Sequence, residues 1–143
     1  MKHIIFICTG NTCRSPMAAA LCRKLAAQRG LQLAVESMGL AACPGDPATP
    51  EAAAALSEIG LDLSTHRARQ ADPASLAAAH RIVCMTRSHR IILEGAGIPS
   101  EKLRVLGVGI PDPFGGSLED YRACRDAIAA ALPALLDEWE AEL

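Results

Sequence analysis

The apolar run Ile4-Ile5-Phe6-Ile7 leads straight into Cys8-Thr9-Gly10-Asn11-Thr12-Cys13-Arg14-Ser15-Pro16. No other stretch restricts the fold as strongly. Four consecutive apolar residues read as a strand buried on both faces. Gly10-Asn11 is a compact turn-former. Ser15 followed by Pro16 predicts a helix N-cap and first helical position. A strand therefore passes through a tight loop directly into a helix.

The same alternation continues along the chain. Met17, Leu21 and Leu25 recur every four residues, with Ala18 and Cys22 beside them, and predict a helix over 15–29 that stops at Gly30. Leu33 to Met38 reads as a second strand. The Gly- and Pro-rich segment 41–47 reads as a loop, and Thr49-Pro50-Glu51 opens a helix that ends at Gly60, with Leu56 and Ile59 on its buried side. Residues 61–71 have no clean period. They hold the basic polar stretch Ser64-Thr65-His66-Arg67-Ala68-Arg69-Gln70, which is either a solvated surface or a neighbour of the first loop.

Asp72-Pro73 starts a short helix to about Ala79, and residues 81–85 form a third, central strand. Thr86 caps a helix carrying Ile91, Ile92 and Leu93. Residues 103–106 form a fourth strand, and a loop follows that ends in Pro111-Asp112-Pro113-Phe114-Gly115-Gly116. Ser117 caps the last helix, whose stripe is Tyr121, Cys124, Ile128, Leu132, Leu135 and Trp139, and Pro133 is expected to kink it. Strands alternating with helices, with no repeat or linker, predict an α/β fold. The expected architecture is a single-domain three-layer sandwich over residues 1–143, with a four-stranded parallel sheet and helices on both faces. Ligands bind at the carboxyl ends of such strands, where both the Cys8 loop and the Asp112 loop emerge.

Composition narrows the function classes. A net charge of −2 offers no basic field for nucleic acid or an anionic membrane. No run approaches membrane-spanning length. The apolar run after Met1-Lys2-His3 stops too soon to be the core of a signal peptide. Six cysteines without Cys-x-x-Cys or His-cluster spacing imply neither zinc nor a disulfide framework. A reducing cytoplasm, with most cysteines packed as small core residues, is the expected setting. No metal and no cofactor is expected.

The loop's chemistry follows from its spacing. Cys8 and Arg14 bracket five residues, so the chain can curl with successive N–H groups facing inward as an anion nest. The helix start adds its unpaired N–H groups and the positive end of its dipole. Arg14 supplies a planar fork for two oxygens of a tetrahedral oxyanion. Positive potential at the floor of that bowl favours the thiolate of Cys8, a nucleophile aimed at phosphorus. A cysteine and an arginine at this spacing are common by coincidence. The strand before, Gly10-Asn11 within and the Ser-Pro helix after make the signal specific.

With the Cys8–Pro16 segment and Asp112-Pro113-Phe114 at this separation, the chain resembles the low-molecular-weight protein tyrosine phosphatase family over essentially its whole length. Within that family it is most similar to bacterial protein-arginine phosphatases, which carry threonine where Thr12 stands and Asp-Pro-Phe-Gly-Gly-Ser where residues 112–117 stand. Tyrosine-specific members typically place a bulky aliphatic residue at the Thr12 position and a second aromatic at the Gly115 position. The resemblance implies two steps through a cysteinyl-phosphate. Cys8 is the nucleophile, and Arg14 with the backbone N–H groups of Thr9, Gly10, Asn11, Thr12 and Cys13 holds the equatorial oxygens. Asp112 acts as general acid and then as base. Asn11 braces the loop, and Ser15 donates to the Cys8 sulfur while capping the helix. Cys13 is either a small packing residue or a redox partner for Cys8.

Substrate choice turns on few residues. Phe6 belongs to the buried strand and Trp139 to the last helix, which leaves Phe114 as the aromatic wall, with Tyr121 as a helper. Guanidinium stacks on an aromatic face but needs acceptors for its N–H groups. The Thr12 hydroxyl and the Asp112 carboxylate provide them, which favours phosphoarginine in protein substrates. Phosphotyrosine is the alternative. An arsenate reductase relay is more remote, because Cys84 lies in a core strand and Ile91 stands where a partner cysteine belongs. A phosphate-binding module without catalysis would be expected to lack the nucleophile or the acid.

Overall fold

A computed structural model describes residues 1–142. Strand β1 (Lys2–Cys8) is followed by α1 (Arg14–Gln28), β2 (Leu33–Gly39), α2 (Pro50–Ser57), α3 (Pro73–Ala78), β3 (Arg81–Cys84), α4 (Arg87–Gly95), a short 3-10 turn at Ser100–Lys102, β4 (Leu103–Val105) and α5 (Leu118–Glu142). The four strands form one parallel sheet in the order β2-β1-β3-β4. Register places Cys8 beside Gly39, Ile7 beside Cys84, and Cys84 beside Val105. The strands thus end at a common rim, where the loops after β1, β3 and β4 meet.

The buried reading of the first run holds: Ile4, Ile5, Phe6 and Ile7 have no exposed surface. Alternate residues face opposite layers. Ile4, Phe6 and Cys8 pack with Met17, Cys22, Leu56, Ile128 and Trp139 of α1, α2 and α5. Ile5 and Ile7 pack with Leu76 and Leu93 of α3 and α4. This is the expected three-layer α/β fold.

Four helix starts are as read. Thr49 Oγ1 accepts from Ala52 N–H, Asp72 from Ser75 N–H, and Thr86 Oγ1 from His89 N–H. Ser117 and Asp120 exchange side chain-to-main chain bonds at 3.3 and 2.9 Å, a capping box.

The first helix differs. It begins at Arg14 with Cys13 as N-cap and no side-chain cap, so Ser15 does not cap it. The Ser15 hydroxyl is engaged by Cys8 and Asn11 instead, and the first-turn N–H groups remain free of a capping side chain. In α4 only Leu93 of the three aliphatics is buried, whereas Ile91 and Ile92 are exposed. α5 continues unbroken through Pro133. Among the described residues no helix is long and apolar enough to cross a membrane.

Candidate active site

Between β1 and α1 the main chain wraps with the carbonyls of Cys8, Thr9, Asn11, Thr12 and Cys13 outward, each met by a donor. Cys8 O accepts from Leu40 N–H at 3.0 Å, Thr9 O from Ala41 N–H at 2.9 Å, Thr12 O from Thr49 N–H at 2.9 Å and Cys13 O from Met17 N–H at 3.2 Å. The Asn11 carbonyl accepts from His66 Nε2 at 2.7 Å. In a trans peptide the N–H opposes the C=O. The N–H groups of Thr9, Gly10, Thr12, Cys13 and Arg14 therefore point to the inside of the curl, which makes an anion nest. Gly39 permits this course. A Cβ there would lie 2.5 Å from Thr9 O and 3.1 Å from Asn11 N, so a side chain would push the loop off the end of β2.

Asn11 has no exposed surface and adopts φ 57°, the left-handed region that asparagine tolerates. Its amide orientation is set by Arg69 N–H, which donates to Oδ1 at 2.9 Å. Nδ2 then donates to Ser15 Oγ at 2.8 Å and to Ser37 Oγ at 2.9 Å. Ser15 Oγ lies 2.8 Å from Cys8 Sγ, and its O–H is the donor of this pair whenever the sulfur is a thiolate, which can only accept. The Asn11 N–H also donates to the same sulfur at 3.3 Å. Cys8, 3% exposed, thus sits at the base of the nest with two donors on its sulfur.

The fourth strand delivers the other half of the site. Arg14 is 4% exposed; Nη1 donates to Ile110 O at 3.0 Å and Nη2 lies 3.7 Å from Asp112 Oδ2. The guanidinium plane is therefore set by the segment that leads into the Asp112 loop. Asp112 is half exposed and its Oδ1 accepts from Phe114 N–H at 3.0 Å. Gly116 N–H closes a turn on Pro113 O at 2.8 Å with Gly115 at φ 80°, the position of a type II turn that calls for glycine. A cavity of about 220 Å3 results, lined by Cys8, Thr12, Cys13 and Arg14 together with Asp112 and Phe114. The structure brings all the candidate residues to one place, with Thr9, Gly10, Asn11 and Ser15 in its wall or directly behind it.

Some expectations are corrected. Tyr121 is not a wall of the cavity. It is 1% exposed within the core, its hydroxyl donating to Cys13 Sγ across 3.9 Å, and burial pushes its phenol up to about 12. Of the two readings of the stretch 64–70, the neighbour of the first loop is the one that holds. Ala68 is buried, Gln70 bridges Gly39, and both His66 and the Arg69 main chain hold Asn11.

His89 is an addition that the sequence did not signal beyond its place three residues after the Thr86 cap. It is 5% exposed and lies between Thr86 Oγ1 at 3.0 Å and Thr9 Oγ1 at 2.9 Å, tying α4 to the loop. Burial, and then the Arg14 charge, lower its pKa below the ordinary histidine value. Burial likewise lowers His66, against its bond to Asn11 O. Burial raises the Cys13 thiol, opposed by Thr12 and Tyr121, and pushes Cys22, Cys84 and Cys124 up to about 12 as inert core thiols.

A nest, a buried sulfur, a guanidinium and a carboxylate around one small cavity can bind a tetrahedral oxyanion and attack its central atom. The protein-arginine-phosphatase of Bacillus subtilis strain 168 is 38% identical over 140 residues, covering 92% of this chain and 93% of that protein. The low molecular weight protein-tyrosine phosphatase A of Mycobacterium tuberculosis strain H37Rv is 33% identical over 148 residues, covering 94% and 90%. A crystal structure of a YwlE mutant from Bacillus subtilis superposes with a TM-score of 0.91 at 36% identity, covering 98% of this chain and 99% of that one. The family model for low molecular weight phosphotyrosine protein phosphatase matches residues 3–143. The chain therefore belongs to the low molecular weight phosphotyrosine protein phosphatase family, whose members are cysteine-dependent hydrolases of phosphoproteins.

Proposed function

We propose that the protein is a protein-arginine phosphatase that hydrolyses phosphoarginine in protein substrates through a cysteinyl-phosphate on Cys8. The observation that carries this reading is the pairing of acceptors and ring around the cavity. Thr12 and the Asp112 carboxylate stand beside one exposed aromatic, Phe114, and Gly115 at φ 80° is strained for a second aromatic side chain. A guanidinium can stack on Phe114 and donate to Thr12 Oγ1 and Asp112. The Bacillus subtilis protein-arginine-phosphatase supports the same substrate.

In the first step Cys8 Sγ attacks phosphorus, an S–P bond forms and the P–N bond to the guanidinium breaks. Asp112 enters this step protonated, so that one oxygen gives the leaving nitrogen its proton while the other accepts a guanidinium N–H. Arg14 and the inward N–H groups hold the three equatorial oxygens as charge redistributes. Water then attacks phosphorus, Asp112 takes its proton, and the S–P bond breaks to release phosphate and return the thiolate. The Ser15 hydroxyl and the Asn11 N–H stabilise the sulfur as leaving group. Cys13 is the proposed redox partner of Cys8. A cytoplasmic setting suits six cysteines that are all unpaired.

Hydrolysis of phosphotyrosine is the second reading, favoured by the exposed Phe114 ring and by the mycobacterial relative. The deciding experiment measures phosphate release from a phosphoarginine protein and a phosphotyrosine peptide side by side, in wild type and in Thr12→Ile. Isoleucine keeps the β-branch but leaves guanidinium N–H groups without a partner, which costs about 1–3 kcal/mol, or roughly tenfold to a hundredfold. Wild type is expected to prefer phosphoarginine and Thr12→Ile to shift the kcat/KM ratio toward phosphotyrosine. A wild-type preference for phosphotyrosine, or a ratio unmoved by Thr12→Ile, replaces the arginine reading with the tyrosine one.

A further inference from the structure

The cavity at Cys8 has a neighbour. Beyond Phe114 a second hollow of about 540 Å3 opens between the 111–116 turn and α5. Both hollows are lined by Asp112 and Phe114, so the ring, 71% exposed, is a low partition between them. The far wall is α5, which contributes Ala123, Cys124 and Ala127. Ala123 and Ala127 are four residues apart, hence on one face, and both are exposed. Cys124 is buried and inert, so beyond Asp120 at the start of the helix this wall is small and uncharged.

The near wall is thin for a backbone reason. A Cβ on Gly116 would lie 2.4 Å from Asp120 Oδ2 and 2.9 Å from Pro113 O. Gly115, at φ 80°, strains any side chain. Of the charged side chains, the hollow is lined by the carboxylates Asp112 and Asp120 and by no cation.

Because the two hollows share Phe114, a polypeptide whose phosphorylated residue sits on the Cys8 loop can cross there from one to the other. The next residue's Cα lies about 3.8 Å further on, within reach of the second hollow. We propose that this hollow is a substrate subsite that takes an apolar side chain, of leucine or phenylalanine size, adjacent in sequence to the phosphorylated residue. The two carboxylates exclude an acidic neighbour from the same place. The occupant is a segment of the substrate polypeptide, because the hollow adjoins the Cys8 cavity and shares Asp112 and Phe114 with it. The subsite rests on that phosphatase reading.

The test compares kcat/KM for phosphoarginine peptides that differ only in having Leu, Ala or Asp on either side of the phosphorylated residue. Free phosphoarginine and an aryl phosphate serve as small substrates. Leucine on one side is expected to exceed alanine by about tenfold, from partial burial of its extra carbons, with aspartate lowest. Ala123→Phe and Ala127→Met, which fill the hollow from α5, are expected to collapse the ratio of leucine to alanine. Hydrolysis of the aryl phosphate by these variants reports that they fold.

Equal rates for the three peptides in wild type, or a leucine preference that survives both substitutions, overturn the subsite. If the preference is absent and Ala123→Phe changes the elution volume of the protein, the hollow seats a second copy of the chain, and the subsite is again overturned. If the enzyme hydrolyses the aryl phosphate but no phosphoarginine compound, the arginine reading fails by itself. The same series built on phosphotyrosine then decides the subsite by the same criteria.

Discussion

Asn11 Nδ2 donates a hydrogen bond to Ser15 Oγ across 2.8 Å. Among the described residues Asn11 is the one non-glycine with positive φ, and this contact ties that strained position to the hydroxyl on the Cys8 sulfur. Ser15→Ala removes a donor to a charged sulfur, worth about 1.5–3 kcal/mol. It is expected to lower kcat by roughly tenfold to a hundredfold while leaving the fold intact. Asn11→Ala loses the bonds to Ser15, Ser37 and Arg69 and leaves alanine in the left-handed region, where strain alone costs about 1–3 kcal/mol. It is expected to lower both the urea midpoint and the rate. A Ser15→Ala enzyme with wild-type kcat contradicts the assignment of that hydroxyl.

Asp112 is on a turn, half exposed and 3.7 Å from Arg14. Asp112→Asn is expected to slow turnover by roughly a hundredfold or more, the scale of a positioned acid. The loss should shrink for aryl phosphates with very acidic leaving groups, which need little protonation. A Brønsted plot of rate against leaving-group pKa measures this. Equal losses across the series argue against the acid role.

His66 and His89 are both held below the ordinary value of 6.5, in each case chiefly by burial. A group whose folded pKa is depressed binds protons more readily in the unfolded chain. Stability should therefore be full above about pH 6.5 and fall as pH drops through the two folded values. This window lies above that of the ion-paired carboxylates Glu58 and Glu142, whose values are pulled from 4.5 to about 2. Thermal melts across pH, compared for wild type, His66→Gln and His89→Gln, read the effect. Each substitution should flatten the acid limb, and an unchanged limb in both contradicts it.

Cys13 shares the small cavity with Cys8. Mild peroxide is expected to convert the Cys8 thiolate to a sulfenic acid. The Cys13 thiol then displaces water to form a disulfide, which a dithiol reverses. The raised Cys13 pKa makes that second step slow at neutral pH and faster in mild alkali. Mass spectrometry of the inactive form should show the Cys8–Cys13 pair. Overoxidised Cys8 beside free Cys13 removes the partner role.

The sequence revealed the sheet and its rim because these depend on local signals. An apolar run of four, caps at Thr49, Asp72, Thr86 and Ser117, and glycine stops each act within a few residues. Cys8 and Arg14 are legible for the same reason, whereas Asp112, locally a turn residue before proline, gains a role only from the resemblance that joins it to the Cys8 loop. What stayed hidden depends on contacts between distant segments. His66 lies 55 positions from its partner Asn11, and His89 lies 80 from Thr9; neither spacing has a period to read. Ser15 was misread as a cap because Ser-Pro satisfies the local rule, while its hydroxyl is claimed by Asn11 and Cys8 across the loop. Tyr121 has two readings in the sequence, a member of the α5 stripe and a helper of the aromatic wall, and the first holds because its face turns under Cys13.

The central claim is that the phosphoryl group passes through Cys8. Asp112→Asn lacks the base for the second step, so the intermediate should outlive acid quenching when the variant meets a phosphoarginine protein. Intact-mass and peptide-mapping spectrometry is expected to find one phosphoryl group, on Cys8, and none in Asp112→Asn carrying Cys8→Ala. Turnover by the Cys8→Ala enzyme, or a phosphoryl group on any other residue, would contradict the account.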